Sequence, residues 1–299
     1  MEAKKLHHLQ GHRSAIYSIC RFKNESTFLT AGGDGMAVVW DLNDPENGKV
    51  VSKVETQLFN IGYFHDHQIL ALGNMNGGIH FVDLSTGHNV QNLMAHEKGV
   101  FGFLELENHF ISIGGKGALI KWDLKKLQAT ESIRLTNQSL RGIAYSRERH
   151  ELAVGASDHH IYLLDAEHLT LKHRIENAHE SSVFSLVYHP DGAHLITGGR
   201  DAHLRSFNLE NYQQVEERPA HHFTINDLCL HPNGHLLATA SRDKTIKIWD
   251  VHTFELKKVL DLVRYGAHAN SVNALWWSSY RDTLVSVSDD RSIALWELT

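Results

Sequence analysis

At 299 residues and 42% hydrophobic content, the chain can hold one large domain or two ordinary ones around a real core. A net charge of −6 and a sequence pI near 6.5 provide no global attraction to nucleic acid or to an anionic membrane, so neither is expected as a partner. Met1 to His8 carries two lysines and no apolar run, and no stretch of 18 apolar residues follows, which leads us to expect a soluble cytoplasmic protein.

In chain order, Lys4 to Leu9 reads as a lone strand ahead of Gly11-His12. Four residues after that His, at Ile16, an apolar strand begins, and the same step recurs from His179 to Val183. A hairpin follows each such strand. His189-Pro190-Asp191-Gly192 and His231-Pro232-Asn233-Gly234 have strong turn chemistry, with Pro presetting one backbone angle and Gly supplying another that other residues resist. A second strand, a tight turn and a third strand come next, then an amphipathic fourth such as Lys49 to Val54 or Phe254 to Leu260. Ser241 to Asp250 displays the third-strand signature. A polar Arg-Asp-Lys turn precedes Thr245-Ile246-Lys247-Ile248-Trp249, whose alternation is that of a half-buried strand. Better and worse copies end at Trp40-Asp41, Val82-Asp83, Trp122-Asp123, Leu164-Asp165, Phe207-Asn208, Trp249-Asp250 and Trp296-Glu297, a period of about 40 to 47 residues.

The recurring elements are Gly or Ala before His, Asp 22 residues later, and Trp-Asp six residues beyond that. In these the chain resembles the WD-repeat β-propeller family over essentially its whole length. The resemblance implies an all-β fold, a seven-bladed propeller of four-stranded antiparallel blades, as a single domain over residues 1 to 299. It also implies that the N-terminal strand completes the last blade and closes the ring, leaving only short edges exposed. A monomer is expected.

The resemblance further implies a buried hydrogen-bond tetrad in each blade. It is complete in blade one as His12, Thr30, Asp34 and Trp40, in blade six as His221, Thr239, Asp243 and Trp249, and in blade seven as His268, Ser286, Asp290 and Trp296. Blade five has Phe207 in place of Trp, and blade three has Lys116 in place of Asp. Blade four keeps only Asp158, beside Thr136, Val154 and Leu164, and blade two keeps none of the set, with Val54, Leu72, Asn76 and Val82. Blades two to four are therefore expected to depend more on apolar packing.

A Ser, His and Asp constellation invites a hydrolase reading, but a catalytic triad is normally built once, with an exposed nucleophile, whereas this set repeats and ends in Trp. No catalytic residue is assigned. The 24 histidines raise metal binding; five are tetrad members, and local clusters such as His65 with His67 and the pair His159-His160 show no ligand spacing that we recognise. No metal and no cofactor is expected. Cys20 and Cys229 occupy equivalent places in repeats one and six, as ordinary buried thiols would, and no disulfide is expected between them.

In the family the first strand of each blade lines the central channel, and the residue after its apolar start faces the upper mouth. Those residues are Tyr17, Phe59, Phe101, Arg141, Phe184, Asn226 and Asn273. The aromatics either plug the channel or form a pocket that grips a partner side chain. Before the turn Asp, or its substitute, lie Gly33, Met75, Gly115, Ser157, Arg200, Arg242 and Asp289. With Lys116, Lys244 and Arg291 nearby, the upper face of blades three to seven reads as basic and suited to an acidic segment. The connection from Asp243 to His268 is 25 residues against 20 or 21 elsewhere, which adds Arg264 and Tyr265 as candidates or is a neutral length change. The expected function is a non-enzymatic interaction scaffold or adaptor binding a peptide or protein; the alternative is a propeller enzyme or small-ligand binder using the channel.

Overall fold

The computed structural model describes residues 1–107 and 109–299. Its strands form seven antiparallel sheets of four, each pairing in sequence order except the last. Blade one comprises Ile16–Arg21, Thr27–Gly32, Met36–Asp41 and Lys49–Lys53, strands a to d from the channel outward. The later a strands begin at Leu58, Val100, Leu140, Val183, Ile225 and Val272. Blade seven takes its d strand from Ala3–Gln10, which runs antiparallel to Ser292–Leu298 from Ala3 opposite Leu298 to Gln10 opposite Ser292.

Burial along each blade follows from this stacking. Strand b is covered on both faces by neighbouring blades, so Ile69–Asn74 and Glu151–Ala156 are buried at every position. The outermost strand faces water, and Gln128–Arg134 alternates exposed with half-buried residues along its second half. Two d strands are shorter than their apolar pattern suggests. The first ends at Lys53, because Val54 N–H turns inward to the Gly35 carbonyl. The sixth begins at Leu256, because Phe254 adopts a φ of +54° in the turn organised by Asp250 and packs into the core.

The complete tetrads form chains of hydrogen bonds. In blade one His12 Nδ1–H donates to Asp34 (3.0 Å), His12 Nε2 lies 2.8 Å from Thr30 Oγ1, and Trp40 Nε1–H donates to that hydroxyl at 2.8 Å. Blades six and seven repeat this and add a hydroxyl each, Thr245 donating to Asp243 at 2.6 Å and Ser292 to Asp290 at 2.5 Å. Blade five replaces the lost indole by another device. Arg205, 5% exposed, reaches Asp201 at 2.5 Å and Glu217 at 2.8 Å. Blade four ties Asp158 to the Tyr162 hydroxyl at 2.7 Å. In blades two and three, Phe64, Phe81, Phe110 and Trp122 make a continuous aromatic stack, with Phe110 lying 5.6 Å from Trp122 and 4.5 Å from Phe64.

Asp243→Ala removes the acceptor for His221, Thr245 and the His222 and Thr245 backbone N–H groups. The expected cost is about 2 to 4 kcal/mol, read as a shift in urea midpoint at unchanged slope. Stability should also fall with acidification. Burial lowers the pKa of His96 to about 4, so the folded state stays neutral there while the unfolded chain takes up a proton. The folded pKa is depressed, so the contribution is present above the unfolded value of about 6.5 and is lost at about 1.4 kcal/mol per pH unit down to about 4. Burial likewise lowers His12, His179 and His221, against the opposing pull of their aspartates, so calorimetry from neutral pH to about pH 4.5 should show a falling Tm.

Candidate functional site

A one-residue irregularity recurs at the inner edge of all seven blades. Between strands a and b the register skips one residue, at Tyr17, Phe59, Phe101, Arg141, Phe184, Asn226 and Asn273. A bulged residue has no partner in the ladder and its side chain is re-aimed. Here all seven turn toward the axis and line one cavity of about 250 Å3, with Ser185 and Asp227 in its wall.

Five of the seven make a continuous arc. Tyr17 meets Phe59 edge-on at 5.4 Å, Phe59 stacks on Phe101 at 6.0 Å, and Arg141 lies 4.3 Å from the Phe101 ring and 5.4 Å from that of Phe184. Arg141 Nε–H donates to Ser157 Oγ at 3.0 Å, and its other guanidinium N–H groups have no hydrogen-bond partner among the described residues. Burial and then the charge of Arg200 lower its pKa, which places the two cations within electrostatic reach of each other. The two amides act differently. Asn226 donates to Ser271 and the Val272 carbonyl, and Asn273 to the Ile16 carbonyl and Asp289, so both stitch neighbouring blades together.

The rim above is equally regular. The N–H of Gly33, Met75, Gly115, Ser157, Arg200, Arg242 and Asp289 each donates to the carbonyl just before the adjoining a strand, at 2.8 to 3.0 Å. These seven residues therefore stand at equivalent points around the mouth. Among the described residues, no carboxylate lies within 4.0 Å of Arg141, Arg200, Arg242, Lys244, Arg291 or Lys116, and Asp289 is the one acid in the ring of seven.

The structure places one pair of candidates away from the mouth and adds two features that the sequence did not show. Arg264 and Tyr265 do not join the mouth cavity. They form a single helical turn, Leu262–Tyr265, capped by Asp261, in which Arg264 is tied to Asp261 at 2.7 Å, while Lys5 of the closing strand reaches the Gly266 carbonyl. Asp227 lies in the cavity wall, where burial pushes its carboxyl up to about 6 against hydrogen bonds from Leu275 N–H, Ser185 Oγ and Leu228 N–H. Those donors come from blades seven, five and six, so the group fastens three blades. Its signal was an acid inside an a strand, Ile225–Leu230, flanked by apolar residues. On the lower face, His189, Asp191 and His194 come together, the one such group of three among the described residues. Their atoms are already engaged: Asp191 N–H donates to His189 Nδ1, and His194 Nδ1–H donates to the Asp191 carboxylate. Asn233 makes the first of these bonds to His231 in the next blade, so this is turn chemistry that needs no carboxylate.

A closed ring of seven four-stranded blades, with histidine-centred networks between strands and one converging mouth, defines a β-propeller of the repeat type. The sequence profile of the "WD domain, G-beta repeat" matches residues 3–41, 170–208, 212–250 and 260–297, just over half of the chain, and the protein belongs to that family. The longest unmatched stretch, residues 42–169, holds blades two and three and the first three strands of blade four. The chain is 23% identical to Protein tipD of Dictyostelium discoideum over 294 residues, covering 96% of this chain and 48% of that protein. It is 23% identical to Transducin beta-like protein 3 of Rattus norvegicus, covering 97% and 33% respectively. A guanine nucleotide-binding protein subunit beta of Solanum tuberosum is 21% identical over 224 residues, 70% of this chain and 59% of that one. The chain thus spans about half or less of the first two of these relatives. The WD40 β-propeller domain of Doa1 superposes with a TM-score of 0.86 at 19% identity, over all of this chain and 97% of that one. No helix among the described residues is long and apolar enough to cross a membrane.

Asp227→Ala should leave two backbone N–H groups and a hydroxyl without their shared acceptor at the junction of blades five, six and seven. The expected loss is about 2 to 4 kcal/mol, checked by urea unfolding.

Proposed function

We propose that this chain is a non-enzymatic interaction module whose upper face takes a peptide or protein segment bearing acidic residues. The observation that carries this is the mouth itself: seven re-aimed side chains around one cavity, with Arg141 between two phenyl rings and a rim of cations that have no carboxylate within ion-pair distance. Half-exposed aromatics offer contact area at low entropic cost, and a guanidinium stacked on a ring is already oriented for a carboxylate. Similarity to a G-protein subunit, an assembly component by its name, points the same way. The channel-enzyme alternative has less support. Its one acid, Asp227, has its carboxylate engaged by three donors, and both asparagines are committed to neighbouring backbone.

The test is an affinity pull-down with wild type and a Phe101→Ser, Phe184→Ser, Arg242→Ser triple variant, both shown to be folded. Loss of a partner from the variant alone, with capture by wild type weakening as salt rises, is the expected result. Equal recovery by both proteins would sink the reading.

A further inference from the structure

Four blades hold a carboxylate in the same way. The turn Asp accepts from His Nδ1–H, from the backbone N–H just after that His, and from the backbone N–H two residues beyond the Asp itself. In blade one these are His12, Arg13 and Met36 on Asp34, at 3.0, 2.7 and 3.1 Å. Blade five places His179, Glu180 and His203 on Asp201 at 2.9, 3.0 and 3.3 Å. Blade six uses His221, His222 and Thr245, and blade seven His268, Ala269 and Ser292.

Blade three keeps the donor positions and lacks the acceptor. Of the counterparts, His96 Nδ1 and the Glu97 N–H remain around Lys116, where the aspartate would stand, while the Ala118 N–H closes the short 3-10 turn Gly115–Gly117. His96 is 4% exposed, and its Nδ1 has no hydrogen-bond partner among the described residues. The ring is nevertheless held as in the complete blades. Its Nε2 lies 2.8 Å from Ser112 Oγ, which accepts from Trp122 Nε1–H at 2.9 Å, so the serine proton goes to Nε2 and Nδ1 retains its own. The turn also differs. Lys116 sits at a φ of +60°, whereas none of the four turn aspartates has a positive φ, so its side chain departs by another path. In the four complete cradles the carboxylate side chains are between 5% and 12% exposed, so the equivalent position lies near the surface, with His96 Nδ1 itself shielded beneath it. Lys98 and Lys116 supply positive charge nearby, and the one adjacent acid, Glu97, is paired with Arg134 at 2.6 Å. Blade two, with Val54 and Asn76, has no such histidine, and blade four retains its own Asp158.

We infer that blade three binds a carboxylate supplied from outside the blade, seated where its own aspartate is missing and held by His96 Nδ1–H and the backbone N–H of Glu97. The source is either a small free acid or the Asp or Glu side chain of a bound segment. Neither the mouth cavity nor the proposed partner enters this argument, so the two readings stand or fall separately.

The test watches the His96 ring by 15N-edited NMR at neutral pH. Acetate is titrated against chloride at matched ionic strength, and a blocked Gly-Asp-Gly peptide against its Gly-Asn-Gly counterpart. In wild type the Nδ1–H signal should move saturably with acetate or with the Asp peptide, and with neither control. A response to acetate identifies a small-acid site, and a response to the peptide alone identifies a partner side chain. Lys116→Asp, which restores an internal acceptor, should weaken the response at least about tenfold. The proposal is overturned if neither carboxylate moves the His96 signal in wild type, or if Lys116→Asp responds as strongly as wild type does.

Discussion

Everything in this ring depends on a closure that is not covalent. Ala3–Gln10, from the other end of the sequence, pairs with Ser292–Leu298 and supplies the fourth strand of the seventh sheet. Until that pairing forms, the c strand of blade seven is an open edge and the first and last blades have no fixed relation. The entropy of joining segments nearly 300 residues apart grows only slowly with their separation, so one well-packed strand suffices. Leu9 supplies the packing, buried among Ile16, Trp40, Ile293 and Leu295.

The networks are distributed accordingly. Complete tetrads lie in blades six, seven and one, at and on either side of the latch, and blade five adds its arginine variant. Blades two to four, across the ring, hold only parts of such networks, His96, Ser112 and Trp122 in blade three and Asp158 with Tyr162 in blade four, and lean more on aromatic and aliphatic contacts. A buried hydrogen-bond network specifies one geometry, whereas apolar packing tolerates several. The blades that must find one another over the longest sequence separation are those with the most directional interiors.

Most of the fold was legible because its determinants are local and repeated. A His, an Asp 22 residues on and a Trp-Asp end mark the same points in several blades, and the a-strand starts counted from them coincide with the observed strands. The mouth residues were also countable, since each follows an apolar start by one. What counting could not supply was interaction across blades. That Arg141 lies between Phe101 and Phe184, or that Asp227 joins three sheets, depends on residues about 40 positions apart meeting at the axis. Arg205 was missed because its partner, Asp201, already looked satisfied by His179. Arg264 and Tyr265 were placed by loop length alone, which says nothing of the Asp261 cap that folds the insertion onto the closing strand.

The bulge in each a strand separates two demands that usually compete. A residue paired in a ladder is constrained by its neighbours on both sides of the sheet, and a change there disturbs register. Tyr17, Phe59, Phe101, Arg141 and Phe184 are outside any pairing, and their side chains meet mainly one another and the mouth. Such positions can be rewritten while the blades that carry them remain in register. The molecule is thus divided into a frame that resists substitution and an inner ring of interchangeable letters, and a new binding preference could arise by spelling that ring differently without rebuilding the frame.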